Sequence, residues 1–237
     1  MGQINEDVQE IFNYNVFDFK TKEDFILYLR YLIITTQIEL DRYKVYLREL
    51  DKKIKDYGLE KDKHVKIPTL TFHDFNDKLR SLSYYLLNMV GEDKEGIISY
   101  KRFRKMADEM SEELEFELNE LEEEIRLIID QCSNNKAWCL HLSDITLNGQ
   151  LQIHNKEMYR KIKNYVLIHN NPVEIPEYDY YEGAWLLDLQ RKSQIFYDTT
   201  RKVFQHMKKD YSVLIEKSIR IKRKVYENRK YVGIELE

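Results

Sequence analysis

The feature that most constrains this chain is a regular spacing of apolar residues from Phe25 to Tyr57. The steps alternate between three and four, with one pair of fours at Thr36. Such steps place side chains on one face of an α-helix. Thr21 and Gly58 flank the segment, and Thr favours the N-cap of a helix while Gly favours the position after its last turn. The sequence therefore predicts one long helix over residues 22–57, with a coiled-coil-like seam.

Two further segments show the same spacing. The positions from Phe103 to Cys132 predict a helix over residues 100–132. Those from Leu189 to Val225 predict a helix over residues 185–231. Only seven glycines and three prolines interrupt the chain, and both residue types weaken helix interiors. The predicted fold class is all-α, an elongated bundle of long coiled-coil-like helices in a single helical domain over residues 1–237.

Two segments depart from helical spacing. Ile145 to Ile153 alternates apolar and polar residues around Asn148-Gly149, a dipeptide whose residues both tolerate positive φ in a tight turn. This predicts one small β-hairpin over residues 142–153, packed on helices because a lone hairpin is barely stable in water. Residues 170–184 hold two prolines and several tyrosines, which predicts a Pro- and Tyr-rich loop.

Charge is segregated along the chain. Eleven Lys or Arg lie between Arg201 and Lys230 against three acidic residues, whereas Asp108 to Glu124 holds ten acidic residues and no base. The formal net charge of −4 hides this separation. We interpret the two segments as halves of a helix-to-helix pairing, formed within one chain, between two copies or with another protein.

The Tyr-rich loop supplies the candidate partner-binding residues. Tyr is enriched at interface hot spots, and Tyr178, Tyr180 and Tyr181 are interleaved with acidic residues shortly before Trp185. The alternative is a strap laid across the helices, with its rings filling gaps between them. The long seams also predict a protein partner or a homo-oligomer, because they exceed what one compact domain covers.

A first alternative assigns the basic segment to nucleic acid, since clustered Lys and Arg bind phosphate and release counterions. The residues that would contact phosphate are Lys208, Lys209, Arg220, Arg223, Lys224 and Lys230. The competing interpretation is a solvated outer helix face, or the partner of the acidic segment.

A second alternative is enzymatic. Arg201 and His206 are separated by four residues, and this spacing resembles that of HEPN-type helical ribonucleases. Lys202 stands where that family has a polar residue after the Arg. The resemblance implies that His206 is the general acid or base and that Arg201 steadies phosphate. Two unrelated residues on an exposed helix face would show the same spacing.

Neither a metal site nor a cofactor is predicted. The segment from Gly91 to Arg102 resembles an EF-hand loop, but its first and last residues replace the first ligand and the bidentate Glu, which implies a turn without calcium. The short paired spacing of zinc ligands is missing from Cys132, Cys139, His141 and His154. We recognise no phosphate-binding loop and no nucleophile motif.

The remaining expectations concern location and role. Two cysteines give no disulfide framework in a chain of this length, which favours a reducing cytosol. No signal peptide is recognised, and the most apolar run, Phe25 to Ile34, is too short to span a bilayer. Abundant Lys, Ile, Asn and Tyr with scarce Ala is typical of AT-rich coding. We therefore expect a cytoplasmic protein without membrane contact, a non-enzymatic adaptor or scaffold subunit of a bacterial or phage-encoded complex.

Overall fold

The computed structural model describes residues 19–92, 97–134, 180–225 and 232–236. These ranges contain five helices and two antiparallel two-stranded sheets. In chain order the elements are α1 (Lys22–Asp56), β1 (Lys66–Pro68), α2 (Thr69–Gly91), α3 (Tyr100–Met110), α4 (Glu123–Asn134), β2 (Tyr180–Glu182), α5 (Gly183–Leu214), β3 (Ile221–Val225) and β4 (Val232–Leu236). The protein is mostly helical, as the apolar spacing predicts.

The described residues fall into two compact units. Those of the first lie within Met1–Asp41, Tyr85–Asn134 and Thr199–Glu237, and those of the second within Arg42–Tyr84 and Asn135–Asp198. Three helices, α1, α2 and α5, therefore contribute residues to both units. The single domain over residues 1–237 stays a prediction.

The first helix begins and ends where its caps predict. Thr21 Oγ1 accepts a hydrogen bond from the Asp24 amide at 3.2 Å, and Asp24 Oδ2 accepts one from the Thr21 amide at 2.9 Å. These bonds satisfy amides that have no partner inside the helix. Gly58, after the last turn, has a φ of +66°, which Gly adopts without strain. The helix α1 closely matches the predicted range 22–57.

Aromatic residues form the core of the first unit. The ring of Phe25 in α1 lies 5.0 Å from that of Phe116 and 6.0 Å from that of Phe103, between centroids. Tyr28 Oη accepts a hydrogen bond from the Ser99 amide at 2.7 Å and donates one to the Ser99 carbonyl at 3.0 Å. Burial raises the pKa of Tyr28 to about 12, so the hydroxyl keeps its proton at neutral pH. These contacts fix the start of α3, whose N-cap is Ser99.

The second unit has its own aromatic core. The Tyr46 ring of α1 lies 5.9 Å from that of Phe75 in α2, and Tyr46 Oη lies 3.3 Å from Ser193 Oγ in α5. The Tyr43 ring lies 5.6 Å from that of Phe196 in α5. Both tyrosines are buried, so α1 is packed against α2 and α5 in this unit.

The predicted helix over residues 100–132 is wrong in its middle. The helix α3 ends at Met110 and α4 begins at Glu123. Like charges three or four residues apart repel on a helix, and Asp108 to Glu124 holds ten acids without a base. Glu115 takes a φ of +54°, and the next residue, Phe116, is buried. Leaving the helix lets the chain relieve repulsion and place this ring in the core.

The predicted helix over residues 185–231 is wrong at its C-terminal end. The helix α5 ends at Leu214, and Glu216 takes a φ of +54°. The strands β3 and β4 then pair antiparallel, with Ile221 opposite Leu236. β-branched residues favour strands over helices, and they alternate with Lys and Arg in β3.

The prediction of a loop over residues 170–184 is wrong at its end. Residues 180–182 form β2, which pairs antiparallel with β1, and α5 begins at Gly183. A Cβ on Gly183 would overlap the Leu59 side chain, so only glycine fits this junction. The predicted hairpin over residues 142–153 lies outside the described residues.

Candidate functional site

Four polar side chains meet in the interior of the first unit. Tyr100 and Arg104 come from α3, and His206 and Asp210 come from α5. Their exposed fractions are 0%, 7%, 3% and 0% respectively. Each helix presents its two side chains on one face, because residues four apart are neighbours on a helix. We call these four residues the buried polar cluster.

Asp210 is the centre of the buried polar cluster. Its Oδ2 accepts a hydrogen bond from Tyr100 Oη at 2.6 Å and another from Arg104 Nη1 at 2.9 Å. Arg104 Nη2 also donates to the carbonyl of Asn119 at 2.8 Å. Charge-assisted hydrogen bonds are about twice as strong as neutral ones. The arginine thus ties together α3, α5 and the segment between α3 and α4.

His206 completes the buried polar cluster through the tyrosine. Its Nδ1 lies 2.9 Å from Tyr100 Oη. Because the single hydroxyl proton is donated to Asp210, the contact with His206 needs a proton on Nδ1. The hydrogen bonds therefore run in one direction, from the histidine through the tyrosine to the carboxylate.

The protonation states agree with this direction. Burial lowers the pKa of His206, and the nearby Asp210 charge only partly opposes that shift. Burial also raises the pKa of Tyr100 well above its usual range, and Asp210 raises it further. At neutral pH the histidine is therefore neutral and the tyrosine protonated.

The arrangement is suited to holding helices together rather than to acid–base catalysis. A general acid or base must reach its substrate within about 3 Å, whereas His206 is buried and bonded to Tyr100. The other half of the ribonuclease pair, Arg201, is exposed on α5. The structure gives no support to a site made of these two residues.

The buried polar cluster was missed at the sequence level. Arg104 and Asp210 neighbour the predicted seam residues Phe103 and Met207. Charged residues beside a seam usually reach solvent, so burial was not expected. The available signal was the matching four-residue spacing of Tyr100 with Arg104 and of His206 with Asp210, on helices of opposite net charge.

The acidic and basic segments do meet within this chain. Lys209 Nζ lies 2.8 Å from Glu122 Oε1, and Lys202 Nζ pairs with Glu124 Oε1. All four side chains are more than half exposed. Exposed ion pairs add little stability, so their effect is to select which segments face each other. The acidic partner is helical only from Glu123 onward.

The structure divides the six residues assigned to nucleic acid. Lys208 and Lys209 lie on α5, Arg220 is exposed before β3, Arg223 and Lys224 lie in β3, and Lys230 lies outside the described residues. The positive charge is therefore split between a helix and a strand. The nucleic-acid alternative stays a prediction, but a single basic helix cannot carry it.

The candidate partner-binding residues are placed mostly by backbone pairing. Tyr180 and Tyr181 lie in β2, opposite Pro68 and Ile67 of β1. The half-buried Trp185 ring packs edge-on against the Phe72 ring, with centroids 5.9 Å apart. Tyr178 lies outside the described residues. A strand laid along β1 agrees with the strap interpretation, and partner binding by these residues stays a prediction.

The helix α1 carries a second apolar face. Leu27, Tyr31 and Val45 have exposed fractions of 54%, 48% and 51%. Ile34 and Ile38 lie between them and are half-buried. These positions repeat at helical spacing but do not belong to the buried seam. We call these five residues the outer stripe.

The described residues give no sign of a metal site or a membrane span. None of their His, Cys, Asp and Glu side chains form a group of three or more placed to hold a metal ion. Of the helices in the described ranges, none has the length and apolar character needed to cross a bilayer. The chain matches no protein-family profile, no curated protein and no solved structure. Its function is therefore argued from geometry alone.

Proposed function

We propose that the protein is a non-enzymatic helical scaffold that binds a second copy of itself through the outer stripe of α1. The observation that supports this most is the exposure of Leu27, Tyr31 and Val45 on a helix whose other face is buried. Apolar side chains at helical spacing are the form in which one helix presents a seam to another. This is the self-associating form of the predicted adaptor.

The outer stripe matches itself when two copies of α1 run antiparallel. With Ile34 opposite the second copy's Ile38, Leu27 falls opposite the second copy's Val45. A two-fold axis repeats each contact, because a residue and its partner exchange roles across an isologous interface. The most exposed apolar residues at the two ends of the stripe therefore cover each other.

Charges beside the outer stripe favour the same arrangement. In this register Glu23 approaches the second copy's Arg48, and Arg30 approaches the second copy's Asp41. Tyr31 also falls beside the second copy's Asp41, whose carboxylate can accept its hydroxyl proton. A parallel arrangement would instead place each of these charges next to its own copy, and like charges repel. Charge complementarity thus selects the antiparallel dimer.

The size of the outer stripe predicts a weak complex. Covering a half-exposed Leu, Tyr or Val contributes about 1 kcal/mol, and the two copies together present six such side chains. A gross gain of about 6 kcal/mol lies between the values for millimolar and micromolar dissociation constants, before the costs of association are subtracted. The dimer should therefore form at high protein concentration.

Light scattering over a concentration series, from about 10 μM to about 500 μM, tests the proposal. We expect the average mass to rise from monomer toward dimer. Leu27→Glu places a carboxylate in the seam and should weaken association at least tenfold, or about 1.4 kcal/mol. The matched control is Leu70→Glu, since Leu70 is an 80% exposed leucine on α2. A constant monomer mass, or equal weakening by both variants, contradicts the proposal.

A further inference from the structure

A short basic ribbon follows α5. Between Lys217 and Val225 there are five Lys or Arg and no acidic residue. The second half of this segment is β3, which pairs with β4 in an antiparallel register from Ile221 opposite Leu236 to Val225 opposite Val232. We call residues 217–225 together with β4 the basic ribbon.

The strand register spreads the positive charge over both faces of the ribbon. Alternate residues of a strand lie on opposite faces, so Lys222 and Lys224 share one face and Arg223 belongs to the other. Residues two apart are separated by about 6.8 Å along a strand. The acidic residue of β4, Glu235, is opposite Lys222, while Arg223 is opposite Ile234. One acid therefore balances one of the bases in the ribbon.

The charge of the basic ribbon is opposite to that of the rest of the chain. Five bases and Glu235 give the ribbon a formal charge of +4. Because the whole chain carries −4, the remainder carries −8. At physiological salt, charges are screened beyond about 8 Å. A polyanion at the ribbon is therefore attracted locally, even though the molecule as a whole is acidic.

We propose that the basic ribbon binds the phosphate backbone of a nucleic acid, with duplex DNA as the expected form. A two-stranded β-ribbon has the dimensions to enter the major groove, and clustered Lys and Arg supply the phosphate contacts. Lys217, Arg220 and Lys222 are all exposed. The bases of α5 are in a different situation, because Lys202 and Lys209 face Glu124 and Glu122.

This assignment goes beyond self-association through α1 and does not depend on it. The ribbon begins after α5 has ended at Leu214, and the outer stripe ends at Val45. Substitutions in one surface therefore leave the other intact. Loss of dimerisation and loss of nucleic-acid binding are separately measurable.

Fluorescence anisotropy with a labelled duplex DNA tests the proposal. The salt dependence is the decisive quantity, because each phosphate contact contributes about 0.9 to the slope of log affinity against log salt. The test variant is Lys222→Gln with Arg223→Gln and Lys224→Gln. Three lost contacts should make binding about 40-fold less sensitive to a rise from about 50 to about 200 mM salt. Single-stranded DNA and RNA of equal length show which nucleic acid is preferred.

Two controls separate local charge from net charge and from misfolding. Lys52→Gln with Lys53→Gln and Lys55→Gln removes three exposed bases from the end of α1 and should leave the salt slope unchanged. Lys222→Arg with Arg223→Lys and Lys224→Arg keeps the charge of β3 and should retain binding. The proposal is overturned if no nucleic acid binds at about 50 mM salt, or if the α1 variant weakens binding equally. Binding of a poly-glutamate peptide but not of DNA or RNA also overturns it.

Discussion

At the scale of single residues, Asp210 does most to define the interior of the first unit. It accepts hydrogen bonds from Tyr100 and Arg104 while being fully buried. A sequence gives the spacing of such residues but not their burial, because the partners lie more than a hundred positions apart. The capping pair Thr21 and Asp24 shows the opposite case. Both partners there are local, and the sequence was enough to predict them.

Asp210→Asn should destabilise the protein strongly. The substitution leaves the Arg104 charge buried without a counter-charge, and removing one partner of a buried ion pair costs about 3 to 5 kcal/mol. Urea unfolding followed by circular dichroism measures the change. The matched control is Asp198→Asn, which alters an exposed residue of the same helix and should change stability little.

Replacing both partners of this ion pair sharpens that test. Arg104→Met combined with Asp210→Leu removes the two buried charges together, and such replacements are often neutral or stabilising. The double variant should therefore be more stable than Asp210→Asn alone. A double variant as unstable as the single one would show that the ion pair is not what the substitution disrupts.

At the scale of elements, the sequence predicts a helix or strand correctly where local signals agree. The helix α1 has matching caps and a regular seam, and it lies where expected. The helix predicted over residues 100–132 fails because like-charge repulsion and the burial of Phe116 outweigh the seam. The end of α5 fails because Ile221 and Val225 fit both a four-residue helical step and the alternation of a strand. Pairing with β4 decides between the two, and that contact is not local.

The junction between β2 and α5 offers a prediction at this scale. Gly183→Ala should destabilise the protein by about 1 to 3 kcal/mol, the usual cost of overpacking, because the new Cβ meets the Leu59 side chain and the Val65 carbonyl. Thermal unfolding of this variant, of Leu59→Ala and of the double variant forms a double-mutant cycle. The glycine substitution should cost less in the Leu59→Ala background. Equal costs in both backgrounds would mean that this contact does not determine the glycine.

At the scale of the whole molecule, the chain presents two surfaces of different chemistry. The outer stripe of α1 is apolar with mixed charges beside it, and the basic ribbon carries +4 in a chain of net −4. The predicted pairing of acidic and basic segments is realised inside the chain by Lys202 and Lys209. Those contacts leave the basic ribbon as a separate concentration of positive charge.

The central claim is that two copies meet through α1 in antiparallel register, and cysteine cross-linking tests it most directly. Leu27→Cys and Val45→Cys are made separately in a background where Cys132 and Cys139 are replaced by Ser. Under mild oxidation, the mixture of the two single variants should give a disulfide-linked dimer, and neither variant alone should do so. Cross-linking of the Leu27→Cys variant with itself, or no cross-link in the mixture at concentrations where light scattering shows dimers, would contradict the antiparallel arrangement.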